Sequence, residues 1–135
     1  MELSEAASTT AGILLLTVLA VELGGVAVLR ITRGGRPATE FQKAFARAGH
    51  GHAGVFVVFA LLAQILSDSA DLDGFAELVA RDGIWVAAIL FPLGFFLSSA
   101  GADVTRPNRM IGLVYVGAVC LAAGVVTLAI GLLRA

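Results

Sequence analysis

The sequence predicts an all-α integral membrane protein: a four-helix antiparallel bundle, one transmembrane domain over residues 1–135, with both termini outside. Three observations predict it. Hydrophobic residues make up 59% of the chain and charged residues 14%. A soluble domain of this size has a large surface to cover with polar groups and could not be so apolar. The apolar residues fall into four runs, each near the roughly 20 helical residues that a bilayer requires. The charges change sign from one connection to the next.

The first run covers about residues 11–29 and holds one charge, Glu22, near its middle. The N-terminus, Met1-Glu2-Leu3-Ser4-Glu5, is acidic. A secretory signal opens on a positive patch, so this run is expected to be retained as a helix. After it, Gly34-Gly35-Arg36-Pro37 reads as a turn, and Thr39 followed by Gln42 is a capping-box pattern. Phe41, Phe45, Ala48 and His52 continue at helical spacing, so the second helix is expected over about residues 38–66.

Leu72, Phe75, Leu78 and Val79 share a helical face in the next connection. They predict a short interfacial helix over about residues 72–82, stopped by Gly83, with Trp85 at interfacial depth. The third span, about residues 84–100, contains Pro92, which frees a carbonyl and can kink a helix. The fourth, about residues 110–133, has no charge. In hydrocarbon each segment must satisfy its own backbone, so all four should be helices. Small residues recur every seven positions, at Ala46, Ala53 and Ala60, at Ala87, Gly94 and Gly101, and at Gly117, Gly124 and Gly131. Such stripes let membrane helices approach closely.

Orientation follows from the connections. Arg30, Arg33, Arg36, Lys43 and Arg47 oppose Glu40, and Arg106 and Arg109 oppose Asp103. Between the second and third spans, Asp68, Asp71, Asp73, Glu77 and Asp82 oppose Arg81 alone. Lys and Arg collect on the cytoplasmic side, so the expected placement is N-out/C-out in a bacterial cytoplasmic (inner) membrane. The bacterial assignment rests on abundant Ala, Gly, Val, Leu and Arg with little Lys. The seven basic residues of these inner connections are explained by topology and are no nucleic-acid signature. The single cysteine, Cys120, excludes an intramolecular disulfide.

Glu22 is the first candidate for chemistry. A carboxylate near the bilayer centre costs several kcal/mol by insertion scales (~3) and is a functional candidate by default. It reads either as a proton or cation site or as a protonated acid holding two helices together. His50 and His52 are the only histidines. Two residues apart on a helix, they point roughly 200° away from each other. His50 shares a face with Gly54, Val57, Leu61 and Gln64, and Gln64 argues that this face is inward. His52 then faces a neighbouring subunit, lipid headgroups or the cytoplasmic rim. Glu22 lies eight residues from Arg30, roughly 12 Å along a helix, and His52 five from Arg47, roughly 8 Å. In an antiparallel pair Glu22 and a histidine could therefore meet. Ser98, Asn108 and Tyr115 are minor candidates. Ser98 and Ser99 more often bond their own helix.

The segments Phe45-Ala-Arg-Ala-Gly-His50-Gly-His52-Ala-Gly54, Phe95-Phe96-Leu97-Ser98, Arg106-Pro107-Asn108-Arg109, Gly117-Ala118 and Gly124 to Gly131 resemble a family of small four-helix membrane proteins of actinobacteria. The resemblance covers most of the chain and implies the fold without an activity. Arg47-Ala-Gly-His50 at the mouth of a membrane helix is also similar to the haem-ligating histidine segment in subunit I of haem-copper oxidases. That similarity extends to His50 alone. It implies an axial haem ligand, with His52, Met110 or a histidine of another subunit as the second.

Three functions compete. The first is a homo-oligomeric channel or transporter for protons or a metal ion, using Glu22 with His50 or His52 and Gln64. The next is a structural or accessory subunit of a larger membrane complex. The last is a haem-binding redox protein. No phosphate loop, nucleophile elbow or metalloprotease pattern is present, which argues against an enzyme. The expected surroundings are the lipid bilayer, further copies or a larger membrane complex, and no nucleic acid.

Overall fold

The computed structural model describes residues 3–135; Met1 and Glu2 of the acidic N-terminus lie outside the described residues. Four helices follow one another: α1 (Glu5–Thr32), α2 (Glu40–Ser67), α3 (Gly74–Ser98) and α4 (Gly112–Arg134). A single 3-10 turn, Arg109–Ile111, leads into α4. Each helix, α4 taken with that turn, is long and apolar enough to cross a membrane. The described residues contain no strand.

The helix starts have side-chain caps where the sequence supplies them. Ser4 caps α1, accepting from the Ala7 N–H at 3.2 Å, and Glu5 follows in the first turn, favoured there by the helix dipole. These two residues start α1 six positions before the expected 11. The capping box of α2 is present: the Gln42 N–H donates to Thr39 Oγ1 at 3.1 Å and the Thr39 N–H to Gln42 Oε1 at 3.1 Å. Gln42 also reaches across, its Nε2 donating to the carbonyls of Ser99 and Gly101 at 3.0 and 2.9 Å. The start of α2 is thereby tied to the turn that follows α3.

The short interfacial helix expected over 72–82 is not separate. α3 runs unbroken from Gly74 to Ser98, straight through Gly83. Gly83 serves packing instead of helix termination. A Cβ there would stand 2.8 Å from the Cys120 carbonyl oxygen and 3.2 Å from the Gly124 Cα. The backbones of α3 and α4 meet at this point, and glycine on both sides permits it. The seven-residue stripe of α4 continues the seam. Gly117 lies against Phe91, Gly124 against Ile84 and Gly131 against Leu72, while Gly94 of α3 faces Val114. Gly101 lies outside any seam, in the turn after α3 at φ +128.

Consecutive helices pack side by side and antiparallel. The N-terminus of α1 bonds the end of α2 through Ser4 and Asp68, and Asp71 N–H donates to the Gly131 carbonyl near the end of α4 at 3.3 Å. The start of α1 and the end of α4 thus lie with the acidic connection, opposite the two basic ones. Leu14, Ala60, Ala63, Ala80, Ile84 and Leu128 form the core cluster. The bundle is open along one side, because the backbone of α1 comes close to that of α2 alone. Only 6% of the α1 span is buried within the chain, against 33% for α2 and for α3.

Candidate functional site

The two histidines diverge as their spacing requires, and both find places inside the chain. His50 turns towards α1. Its ring rests against Gly24 and Gly25, where an added Cβ would come within 3.7 Å of Nδ1 and 3.2 Å of Nε2 respectively. It makes no hydrogen bond to any described residue. His52 turns the other way, into the α2–α3 interface. It stacks on Phe91 and Phe95, both with ring centroids at 5.3 Å, and meets Phe56 edge-on at 5.4 Å. Its Nδ1 lies 2.8 Å from the Ala48 carbonyl, a hydrogen bond in which Nδ1–H is the donor. Where the sequence expects His52 on a neighbour, headgroups or the rim, its half-buried ring packs on aromatic rings of its own chain. With the rings on opposite sides of α2, one haem iron cannot take both. Met110 lies at the basic end, in the turn before α4, so His50 is the one imidazole a groove-bound group could reach.

The structure does not join Glu22 to either imidazole. Val21, Gly24 and Gly25 face α2, and at about 100° per residue Glu22 lies roughly a quarter-turn or more from the middle of that face. Its side chain is exposed and forms no hydrogen bond or ion pair with any described residue. Its neighbours along the same face, Leu15, Leu19 and Val26, are exposed as well. The equal depth inferred from residue counts does not bring the groups together, because rotation about α1 sets them apart.

Gln64 belongs to neither site. It lies 14 residues beyond His50 on α2, roughly 21 Å along the axis. It is fully buried at the acidic end, its Nε2 donating to the Arg81 carbonyl at 3.0 Å. Around it is a cluster that sequence reasoning treated only as loop charge. Arg81 donates through Nη2 to Asp68 at 2.6 Å and to Glu77 at 3.1 Å. Asp68 also accepts from the Ser4 N–H at 2.8 Å and the Ser4 hydroxyl at 2.9 Å. Burial opposes ionisation of Asp68, yet the Ser4 N–H, the Arg81 guanidinium and the Ser4 hydroxyl together hold its carboxyl below the usual range. Gln64 Oε1, Ser67 Oγ and Arg81 Nη1 are buried without a partner among the described residues. The one signal available in sequence was Arg81 itself, the lone cation in an acidic connection.

The minor candidates are structural or outward-facing. Ser98 and Ser99 donate to the Phe95 carbonyl at 3.2 and 2.9 Å. Asn108 caps the 3-10 turn through the Met110 N–H at 2.8 Å and donates to the Leu97 carbonyl at 2.9 Å. Tyr115 points outward, 68% exposed. Among the described residues no three His, Cys, Asp or Glu side chains gather to hold a metal ion.

Because the backbone of α1 comes close to that of α2 alone, a groove remains between α1 and α3. Its membrane-depth part encloses about 470 Å³, lined by apolar side chains together with Thr10, Thr17, Trp85 and His50. A second hollow of about 710 Å³ continues from it at the basic end and contains Arg36. Gly24 and Phe96 line both. Compared with known families, curated proteins and solved structures, the chain matches none.

Proposed function

We propose that the protein is a homo-oligomeric channel or transporter for protons or a metal ion, seated in a bacterial inner membrane with its basic end cytoplasmic. The observation that supports this reading is Glu22. It stands exposed and unpartnered midway along a helix whose backbone comes close to that of one other. A carboxylate facing hydrocarbon is costly, so this face calls for a protein neighbour. When several copies pack through α1, their Glu22 carboxyls converge on one axis and can bind and release a proton or cation. The histidines stand outside that path: His50 belongs to the groove side of α1 and His52 to an aromatic pocket. Four helices open along one side do not enclose a pore, and closure by symmetry supplies one.

The exposed face of α1 favours a second reading, an accessory subunit whose α1 docks on a different membrane protein. One experiment separates the two. Purified protein in liposomes should conduct protons or a metal ion, and Glu22→Gln should abolish the flux while leaving the oligomer intact. A monomer that conducts nothing would refute the channel and favour the accessory role.

A further inference from the structure

We propose that the groove between α1 and α3 is a binding site for one anionic glycerophospholipid from the leaflet at the basic end. Its phosphate would lie on Arg36, its ester carbonyl would accept from His50, and an acyl chain would run past Pro92 towards Trp85. The inference is independent of the oligomer, since it uses the opposite face of α1 from Glu22.

Three features converge on that chemistry. The mouth of the groove carries Arg36, exposed and without an acidic partner among the described residues. Of the five cations in this connection Arg36 is the one that lines the hollow, and Lys43 is already paired with Glu40 at 2.8 Å. Deeper in, His50 is the one ionisable side chain of the membrane-depth part, and it has no hydrogen-bond partner. From Ile31, beside Arg36 at the mouth, to Gly24, beside His50, is seven residues on α1, roughly 10 Å. A ligand that satisfies both must be anionic at the interface and offer an acceptor a short way below, which is the order of groups in a phospholipid.

Length agrees. From Gly24 to Thr10 the groove follows α1 for 14 residues, roughly 21 Å. One leaflet supplies half of a hydrocarbon core of about 30 Å, so a single acyl chain fits within that length. Beyond His50 the walls offer apolar side chains and two threonines. Thr17 already donates to the Leu14 carbonyl at 2.6 Å, so it asks nothing of a ligand. A second copy inserting a helix here would bury Arg36 and His50 against apolar side chains and leave both unsatisfied, which disfavours it.

The test uses the full chain in detergent, offered equal amounts of phosphatidylglycerol and phosphatidylcholine with matched chains, and counts retained lipids by native mass spectrometry. Phosphatidylglycerol should be retained about five-fold better, the factor one basic side chain near an anionic headgroup supplies. Arg36→Gln should remove the preference, whereas Arg106→Gln, in the other basic connection and not among the residues that line the groove, should keep it. His50→Phe should lower retention of both lipids a few-fold. Ala20→Trp, which fills the groove from a position on α1 turned away from α2, should abolish retention. Equal retention of the two lipids, or equal losses in the Arg36 and Arg106 variants, would overturn the proposal, because the preference would then be absent or due to diffuse charge. A dimer that forms through the groove and excludes lipid would overturn it too. The arginine pair decides the matter even if the tryptophan variant does not fold.

Discussion

Replacing Gly83 by alanine separates two physical roles for the same residue. As an ordinary interior position of α3, Gly83 would be improved by alanine, because glycine inside a helix costs about 1 kcal/mol. As a packing residue it would be harmed. The added Cβ would meet Cys120 O at 2.8 Å, Gly124 Cα at 3.2 Å and Gly124 N at 3.3 Å. All three are backbone atoms of α4, so no side chain can swing aside, and α3 must lift from the helix it packs on. Overpacking of this kind costs about 1–3 kcal/mol, with rigid contacts at the upper end. Set against the propensity gain, the expected net loss is about 1–2 kcal/mol. Gly51→Ala is the internal control. Nothing lies within 4 Å of a Cβ there, so the substitution should stabilise by about 0.5–1 kcal/mol. The same chemical change should therefore differ by about 1.5–3 kcal/mol between two positions. Denaturing-detergent titration of both variants in mixed micelles reads this difference. A Gly83→Ala protein as stable as the Gly51→Ala protein would refute the close α3–α4 contact and the account of Gly83 built on it.

The cluster at the acidic end gives two more expectations. The carboxyl of Asp68 is held below its ordinary value of 3.8, so the stability it contributes is fully present above about that pH and is lost as pH falls through the lower folded value. Unfolding measured from neutral pH downward should show wild type and Asp68→Asn converging below pH 4, and a constant gap down to the most acid point would remove the role given to this ion pair. Gln64→Met exchanges one hydrogen bond, worth about 1 kcal/mol net, for relief of a buried carbonyl without a partner, which costs about 1–3 kcal/mol. Stability should therefore be unchanged or higher, and a loss beyond about 2 kcal/mol would mean that Oε1 is satisfied by an internal water.

How much of this was legible in the sequence depends on the range of the interaction. The capping box of α2 and the divergence of His50 and His52 are local: adjacent residues set them, and the structure agrees with both. The α4 glycine stripe was legible as a period, since a seven-residue repeat keeps one side of a helix small whatever the partner turns out to be. Gly83 is not legible in this way, because a glycine in an amphipathic stretch is ambiguous. The same absence of a side chain that ends a surface helix also admits a second helix, and only Cys120 and Gly124, some 40 residues on, decide between them. Gln64 was placed with His50 because they share a face, but a face is a stripe along α2, and residues on it can be far apart in depth. Arg81 was counted as one charge in an acidic connection. Its burial follows from Ser4 and Asp68, which close over it from α1 and α2.

The Glu22 result shows why depth alone cannot assign an intramembrane site. Residue counts from Arg30 and Arg47 fix height along two antiparallel helices, and those heights do coincide. A contact also needs both side chains to turn towards each other, and at about 100° per residue a helix rotates any side chain off a given face within one step. On α1 the face towards α2 is taken by Val21, Gly24 and Gly25, and the glycines there admit His50. The residues that let the imidazole approach are thus the ones that turn the carboxylate away. The consequence is a division of labour on one helix. One face of α1 holds an imidazole at the edge of an apolar groove, and another presents a lone acid among exposed leucines and valines. A single chain leaves both unsatisfied. A lipid can complete the first, since a headgroup and an ester match a cation and an imidazole. Only protein or a bound ion can complete the second, since hydrocarbon offers Glu22 nothing to bond.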